Sequence, residues 1–306
     1  MDSSTGKDLV KAWEDGDLKG LIQLPFLGDT ESSPFYIGWA HLVSAFPKVG
    51  KTELIHALCM DWVDTYKIAY FTEEDKTTWA KRLLNFKSKP LDKVVYYHAL
   101  GEGGANIVGP MADSDADIYI LDTARLLGIR NENDNAEVHQ SLAPIISLVK
   151  NKGKTLIIIH HRNKNDELNQ GLEISGAHAF LAVVDVGLIV TKGNKNEKRR
   201  FLTGYGRITP VEGIVFERTD DGDTKLVGHI DEFKLSAVKK RVMDEALVDS
   251  STWSTTQEVI TNLNPAPSLR QVQSALRELA EESVVERDPS ITVDSVKGKT
   301  LKWRKI

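Results

Sequence analysis

The segment His41-Leu42-Val43-Ser44-Ala45-Phe46-Pro47-Lys48-Val49-Gly50-Lys51-Thr52 runs from a short apolar stretch into the start of an amphipathic one, and its second half decides the fold. Ala45 to Thr52 follows the pattern G-x-x-x-x-G-K-[ST], except that Ala45 stands at the first glycine. Such a loop curls backbone N–H groups round a phosphate and sets a lysine against the charge. It also offers a hydroxyl to Mg2+ and aims a helix N-terminus at the anion. Gly50, Lys51 and Thr52 supply these parts, and Ala45, Pro47, Val49 and Glu53 complete the candidate nucleotide-binding set. Ala45 adds a Cβ at a tight turn, which a negative φ tolerates. A second Gly-Lys-Thr, at Gly298–Thr300, lies in a polar loop with no helix after it.

Outward from this loop, residues 35–232 alternate short apolar runs with amphipathic stretches, the rhythm of βαβ units on a mainly parallel sheet. The expected strands are His41–Ser44, Ile68–Phe71, Val94–Tyr97, Ile118–Leu121, Thr155–His160, Val184–Val190, Phe201–Thr203 and Ile214–Phe216. Most are continuously apolar, as strands covered on both faces must be. Lys51–Tyr66, Thr77–Phe86 and Glu137–Asn151 have helical spacing; in the last, Leu142, Ile145, Ile146 and Val149 share one face. The cluster Gly101–Gly104 reads as a loop.

The tail differs. Residues 233–251 read as a linker or connecting helix, and 252–306 as a small domain of two helices, Thr255–Leu263 and Ser268–Glu282, followed by strands at Val284–Val285 and Leu301–Trp303. Thr255 and Glu258 have capping-box spacing. Helix, turn, helix and hairpin is the winged-helix arrangement. The expected fold class is therefore α/β: a P-loop core, a short segment 1–34 before it, and a C-terminal winged helix-turn-helix domain.

Composition agrees with a globular chain of two domains: 306 residues, 41% hydrophobic and 27% charged, with a mean hydropathy of -0.27. No run approaches the ~20 apolar residues that span a bilayer. The polar Met1–Asp17 has no apolar signal segment, and the lone Cys59 allows neither an internal disulfide nor a cysteine zinc cage. A cytoplasmic protein with no membrane partner is expected.

Around the P-loop the sequence offers a second set of groups. Asp122 ends the apolar run Ile118–Leu121, where a carboxylate meets Mg2+ beside Thr52. Glu73 and Glu74 follow Ile68–Phe71 and would lie at the crevice where open α/β sheets bind ligands, placed to orient and deprotonate an attacking water.

The P-loop, Tyr70-Phe71-Thr72-Glu73-Glu74, Leu121-Asp122-Thr123 and Ile159-His160-His161-Arg162-Asn163-Lys164 together resemble the RecA-fold motor core of RepA-like and DnaB-like hexameric replicative helicases, over about residues 35–218. The resemblance implies ATP and Mg2+ as cofactors, Glu74 rather than Glu73 as the catalytic glutamate, and His161 as the polar residue that contacts the γ-phosphate, with His160 on the opposite face. A zinc role for the histidine pair has no third ligand at suitable spacing. RepA-like proteins carry an arginine near the segment that is here Glu173–Gly176, and this chain has none there. The DnaB-like pattern matches Arg207 as the residue reaching a neighbour's nucleotide, with Arg199 and Arg200 as fallbacks. A homo-oligomer, hexameric as in those helicases, is what the resemblance implies.

The net charge of -5 weighs against nucleic acid only as an average. Between Lys192 and Arg207 six cations, including Lys198, Arg199 and Arg200, face one acid, Glu197. With Lys164 they suit contacts to single-stranded DNA, or equally a solvated hairpin. On Ser268–Glu282 the set Arg270, Gln273, Ser274 and Arg277 lies on one face, and Lys297, Lys299, Lys302, Arg304 and Lys305 close the chain, as a DNA-gripping recognition helix and wing require, although winged helices also serve as protein-protein modules. The expected function is an ATP-hydrolysing motor on DNA, a ring-forming replicative helicase. The alternatives are an ATP-switched DNA-binding regulator, or a loader or assembly ATPase without strand separation.

Overall fold

A computed structural model describes residues 4–15, 21–99, 104–132, 134–162, 178–192, 198–208, 211–219, 223–247, 251–281, 284–289 and 301–306. By internal packing the chain divides into Met1–Val227 and Gly228–Ile306.

After a short helix, α1 (Gly6–Glu14), the first unit builds a nine-stranded sheet. In chain order its elements are β1 (Ala40–Ala45), α2 (Lys51–Trp62), β2 (Ile68–Thr72), α3 (Lys76–Leu83), β3 (Val94–His98), α4 (Gly104–Asp113), β4 (Ile118–Asp122), α5 (Asn135–Asn151), β5 (Thr155–His161), α6 (His178–Leu181), β6 (Val186–Lys192), β7 (Arg199–Gly206), β8 (Val211–Arg218) and β9 (Thr224–His229). The spatial order is β3-β2-β4-β5-β1-β6-β7-β8-β9. The pairs among β1 to β6 are parallel, and β7 and β8 continue antiparallel.

Alternation along the strands feeds two cores, because successive side chains leave opposite faces. Ile118, Ile120, Ile157 and Ile159 join Leu54, Leu58, Trp62 and Trp79 on one face. Tyr119, Leu121, Leu156 and Ile158 join Met111, Val138, Leu142, Ile145 and Phe180 on the other. Asp75 caps α3 by accepting from Thr77 N and Thr78 N, and Asp134 caps α5 through Ala136 N and Glu137 N. The first six expected strands recur within two residues, whereas β7 and β8 run two to three residues longer at each end than expected and β9 was not expected. The expected loop at Gly101–Gly104 instead gives way at Gly104 to α4, whose Ile107 and Met111 are buried. Glu173–Gly176 lies outside the described residues.

The second unit carries α7 (Ile230–Arg241), a π-helical turn (Val242–Ala246), β10 (Ser254–Thr255), α8 (Thr256–Asn262), α9 (Leu269–Glu281), β11 (Val285–Arg287) and β12 (Lys302–Lys305). β12 lies between β10 and β11, antiparallel to both. Val238, Val242, Val259, Val272, Leu276 and Trp303 share its core. Thr255 and Glu258 form the reciprocal cap that their spacing predicts. On α9 the buried residues are Val272, Ala275, Leu276 and Leu279, and Leu269 is half-buried.

Candidate active site

Parallel register brings the sequence motifs to one sheet edge. Ala45 is level with His161, and Thr72 with Asp122, which is level in turn with Ile159. The loop leaving β1 turns sharply. Lys48 (φ 63) and Gly50 (φ 104) are both left-handed, and Gly50 caps α2. At Gly50 the positive φ favours glycine, since a side chain is strained there.

Lys51 folds back into this turn. Its Nζ donates to Ala45 O at 2.9 Å and Phe46 O at 3.1 Å, and lies 3.0 Å from His161 Nδ1. Burial pushes the Lys51 ammonium down to about 8. Burial, and then the Lys51 charge, hold His161 down to about 4. His161 is therefore neutral near pH 7. With Nδ1 accepting from Lys51, its proton sits on Nε2, which is then a donor.

Asp122 is 5% exposed. It accepts from Tyr70 OH at 2.8 Å, and its carboxyl, pushed up to about 6 by burial, also hydrogen-bonds Thr52. The hydroxyl and the carboxylate in contact are hard oxygen donors, a pair that fits Mg2+. Among the described residues no group of three or more His, Cys, Asp or Glu side chains stands together as a metal site.

The two glutamates part company. Glu73 N donates to Asp122 O at 3.1 Å, and Glu73 Oε2 accepts from Thr123 Oγ1 at 3.4 Å. Glu74 N donates to Thr72 Oγ1 at 3.1 Å, and its carboxylate pairs with both Nη atoms of Arg82. His160, one residue before His161, faces away. It is buried, with Nδ1 at 3.2 Å from Ser44 Oγ and Nε2 at 3.2 Å from Glu132.

The residues match the AAA domain family over 35–167. A solved structure described as an ATPase domain superposes at a TM-score of 0.59 and 15% identity, covering 74% of this chain and 100% of that one. The core has a RecA-like fold. A second structure, a DnaB-like replicative helicase solved for its interactions with primase, superposes on the RecA-like core at a TM-score of 0.56 and 14% identity, covering 74% of this chain and 67% of that one. No curated protein sequence matches the chain.

Within the RecA-like domain the basic residues of the Lys192–Arg207 segment separate. Arg200 Nε donates to Val49 O at 2.6 Å, so Arg200 stands on the P-loop and, with Glu53, Phe216 and Arg218, lines a cavity of about 250 Å3 beside it. Arg199 pairs with Glu217 at 2.6 Å, and Lys198 is exposed. Arg207 lies at the opposite sheet edge, its N–H on Asp185 O at 3.1 Å and its guanidinium 3.5 Å from the Asp185 carboxylate. It cannot reach the phosphate loop of its own chain. Lys164 and Lys299 lie outside the described residues. In the second unit Arg270, Arg277 and Lys302 are exposed and Gln273 and Ser274 half-buried, while Arg304 pairs with Glu286 and stacks on Trp253. Sequence reasoning missed Arg82 against Glu74, Tyr70 against Asp122 and Arg200 against Val49. No local pattern signals any of the three. Among the described residues no helix is long and apolar enough to cross a membrane.

Proposed function

We propose that this chain is an ATP-hydrolysing RecA-fold motor acting on DNA, a ring-forming replicative helicase with a C-terminal winged-helix DNA-binding domain. The observation that carries the reading is the convergence of Lys51, Thr52, Asp122 and His161 at the edge of one parallel sheet, with Glu74 beside them.

In this reading the P-loop N–H groups and Lys51 hold the β- and γ-phosphates, and Glu53 and Arg200 border the rest of the nucleotide. Thr52 and Asp122 hold Mg2+, which when bound neutralises phosphate charge. Neutral His161 offers its Nε2 proton to the γ-phosphate. Glu74 orients the attacking water and accepts its proton. Arg207, remote from its own P-loop, is available to a neighbouring subunit's nucleotide in a homo-oligomer, a hexamer in the ring reading. Lys164 and Lys198 serve single-stranded DNA, while Arg270, Gln273, Ser274, Arg277, Lys299 and Lys302 serve the tail's DNA surface.

The test is ATP hydrolysis with and without single-stranded DNA, together with strand displacement on a forked duplex. Lys51→Ala should abolish hydrolysis with the fold intact by circular dichroism. Glu74→Gln should bind ATP yet turn over at least about a hundredfold more slowly, as loss of a general base requires. Wild-type hydrolysis in Lys51→Ala would end the motor reading. DNA-stimulated hydrolysis without strand displacement would favour an ATP-switched regulator or loader.

A further inference from the structure

The proposed base is not free in this structure. Both carboxylate oxygens of Glu74 accept from the guanidinium of Arg82, one of them at 3.0 Å. The pair is partly shielded, with side-chain exposures of 23% for Arg82 and 37% for Glu74. A fork that engages both oxygens fixes the plane of a carboxylate as well as its position. A glutamate held in this way has its carboxylate plane and two of its lone-pair sites committed to Arg82 rather than to a water at the P-loop.

The holding side is itself held. Arg82 lies over the ring of Trp79, 4.9 Å from its centroid. Trp79 is buried, and its Nε1 donates to Thr72 Oγ1 at 3.1 Å, the atom that also accepts from Glu74 N. Thr72 ends β2, and Asp75 caps α3 between the two partners. The segment from Thr72 to Arg82 therefore closes on itself through these side chains and the backbone N–H groups they accept from. On its other side Arg82 borders a cavity of about 380 Å3 with Lys81, Asn85 and Arg218, so the guanidinium has room to leave Glu74 without unwinding α3.

We infer that Arg82 is a positioning residue that withholds Glu74 from the attacking water in the resting chain, so that release of this pair limits hydrolysis in the absence of DNA. The inference rests on the reading of Glu74 as the base. It sets Arg82 apart from an arginine that stabilises transition-state charge, because the two roles predict opposite signs when Arg82 is removed.

The experiment uses the full chain and compares wild type, Arg82→Ala, Arg82→Lys and Glu74→Gln by kcat and KM for ATP, with and without single-stranded DNA. Arg82→Ala should raise the DNA-free kcat roughly three- to tenfold, the scale of losing one partly shielded charged pair, with KM little changed and DNA stimulation reduced by the same factor. Arg82→Lys keeps a cation near Trp79 but loses the two-pronged grip, and should fall between. A DNA-free kcat in Arg82→Ala that is unchanged means a merely structural pair, and one that is lower means an arginine that assists hydrolysis; either overturns the inference. If Arg82→Ala does not fold, Arg82→Lys decides by the same criterion. Glu74→Gln keeps the two failures apart. Full turnover in that variant removes Glu74 as the base, whereas a dead Glu74→Gln beside an unaccelerated Arg82→Ala removes only the withholding role.

Discussion

His41 sits inside β1 with no exposure, and its ring is satisfied only in the neutral form. Tyr36 N–H donates to its Nε2 at 3.0 Å, while Nδ1, 3.3 Å from Leu156 O, carries the proton. Burial pushes the group down to about 4 from its ordinary 6.5. A lowered folded value means that the unfolded chain takes up the proton first as the pH falls. The stabilisation is therefore whole above about pH 6.5 and is lost as the pH drops toward 4, by at most about 3 kcal/mol. Urea midpoints from pH 7.5 to 4.5 should fall in the wild type and fall less steeply in His41→Gln, which cannot take up that proton; equal slopes would count against the assignment. The same scale explains what the sequence could reveal of the site. Lys51 and Thr52 are tied to a loop pattern because the phosphate demands them at fixed spacing. Arg200 reads in sequence as one cation in a basic run, and only the fold sets it against Val49, 151 positions away.

Elements were legible where burial imposed a pattern. The continuous apolar runs at Ile118–Leu121 and Thr155–His160 became central strands because both faces of the sheet are covered. α4 escaped because its sequence holds two glycines and Pro110, and is helical only where Ile107 and Met111 find a core. β7 carries a tighter constraint. At Gly204, where its pairing with β8 shifts register, an added Cβ would lie 2.2 Å from Gly187 O on β6. Backbone cannot yield as a side-chain tip can, so Gly204→Ala should push β7 off β6 at a cost of about 2–4 kcal/mol. The same strand delivers Arg200 to the P-loop, so nucleotide affinity should fall along with stability. Denaturant titration and ADP binding on one preparation test both. A variant of unchanged stability would show that the two strands separate more easily than their register implies.

At the scale of the whole molecule, the net charge of -5 hides an uneven chain, and the packing divides it into two units with separate cores. The first core forms round a sheet whose edge bears the P-loop. Among the described residues the second depends on few large side chains, Trp303 among them. It is 4% exposed, sits on the middle strand β12 opposite both Ser254 and Arg287, and donates from Nε1 to Thr256 Oγ1 at 3.0 Å. Trp303→Ala removes this packing and leaves a void that so small a core cannot refill, at a cost of about 3–5 kcal/mol. If the units fold as separate cooperative bodies, calorimetry of the variant should show one transition moved down and another in place, with ADP affinity at the P-loop unchanged. DNA binding should weaken if the tail is the DNA module proposed. A single transition that shifts as a whole, with nucleotide affinity lost alongside it, would mean that the P-loop unit depends on the tail for its own stability.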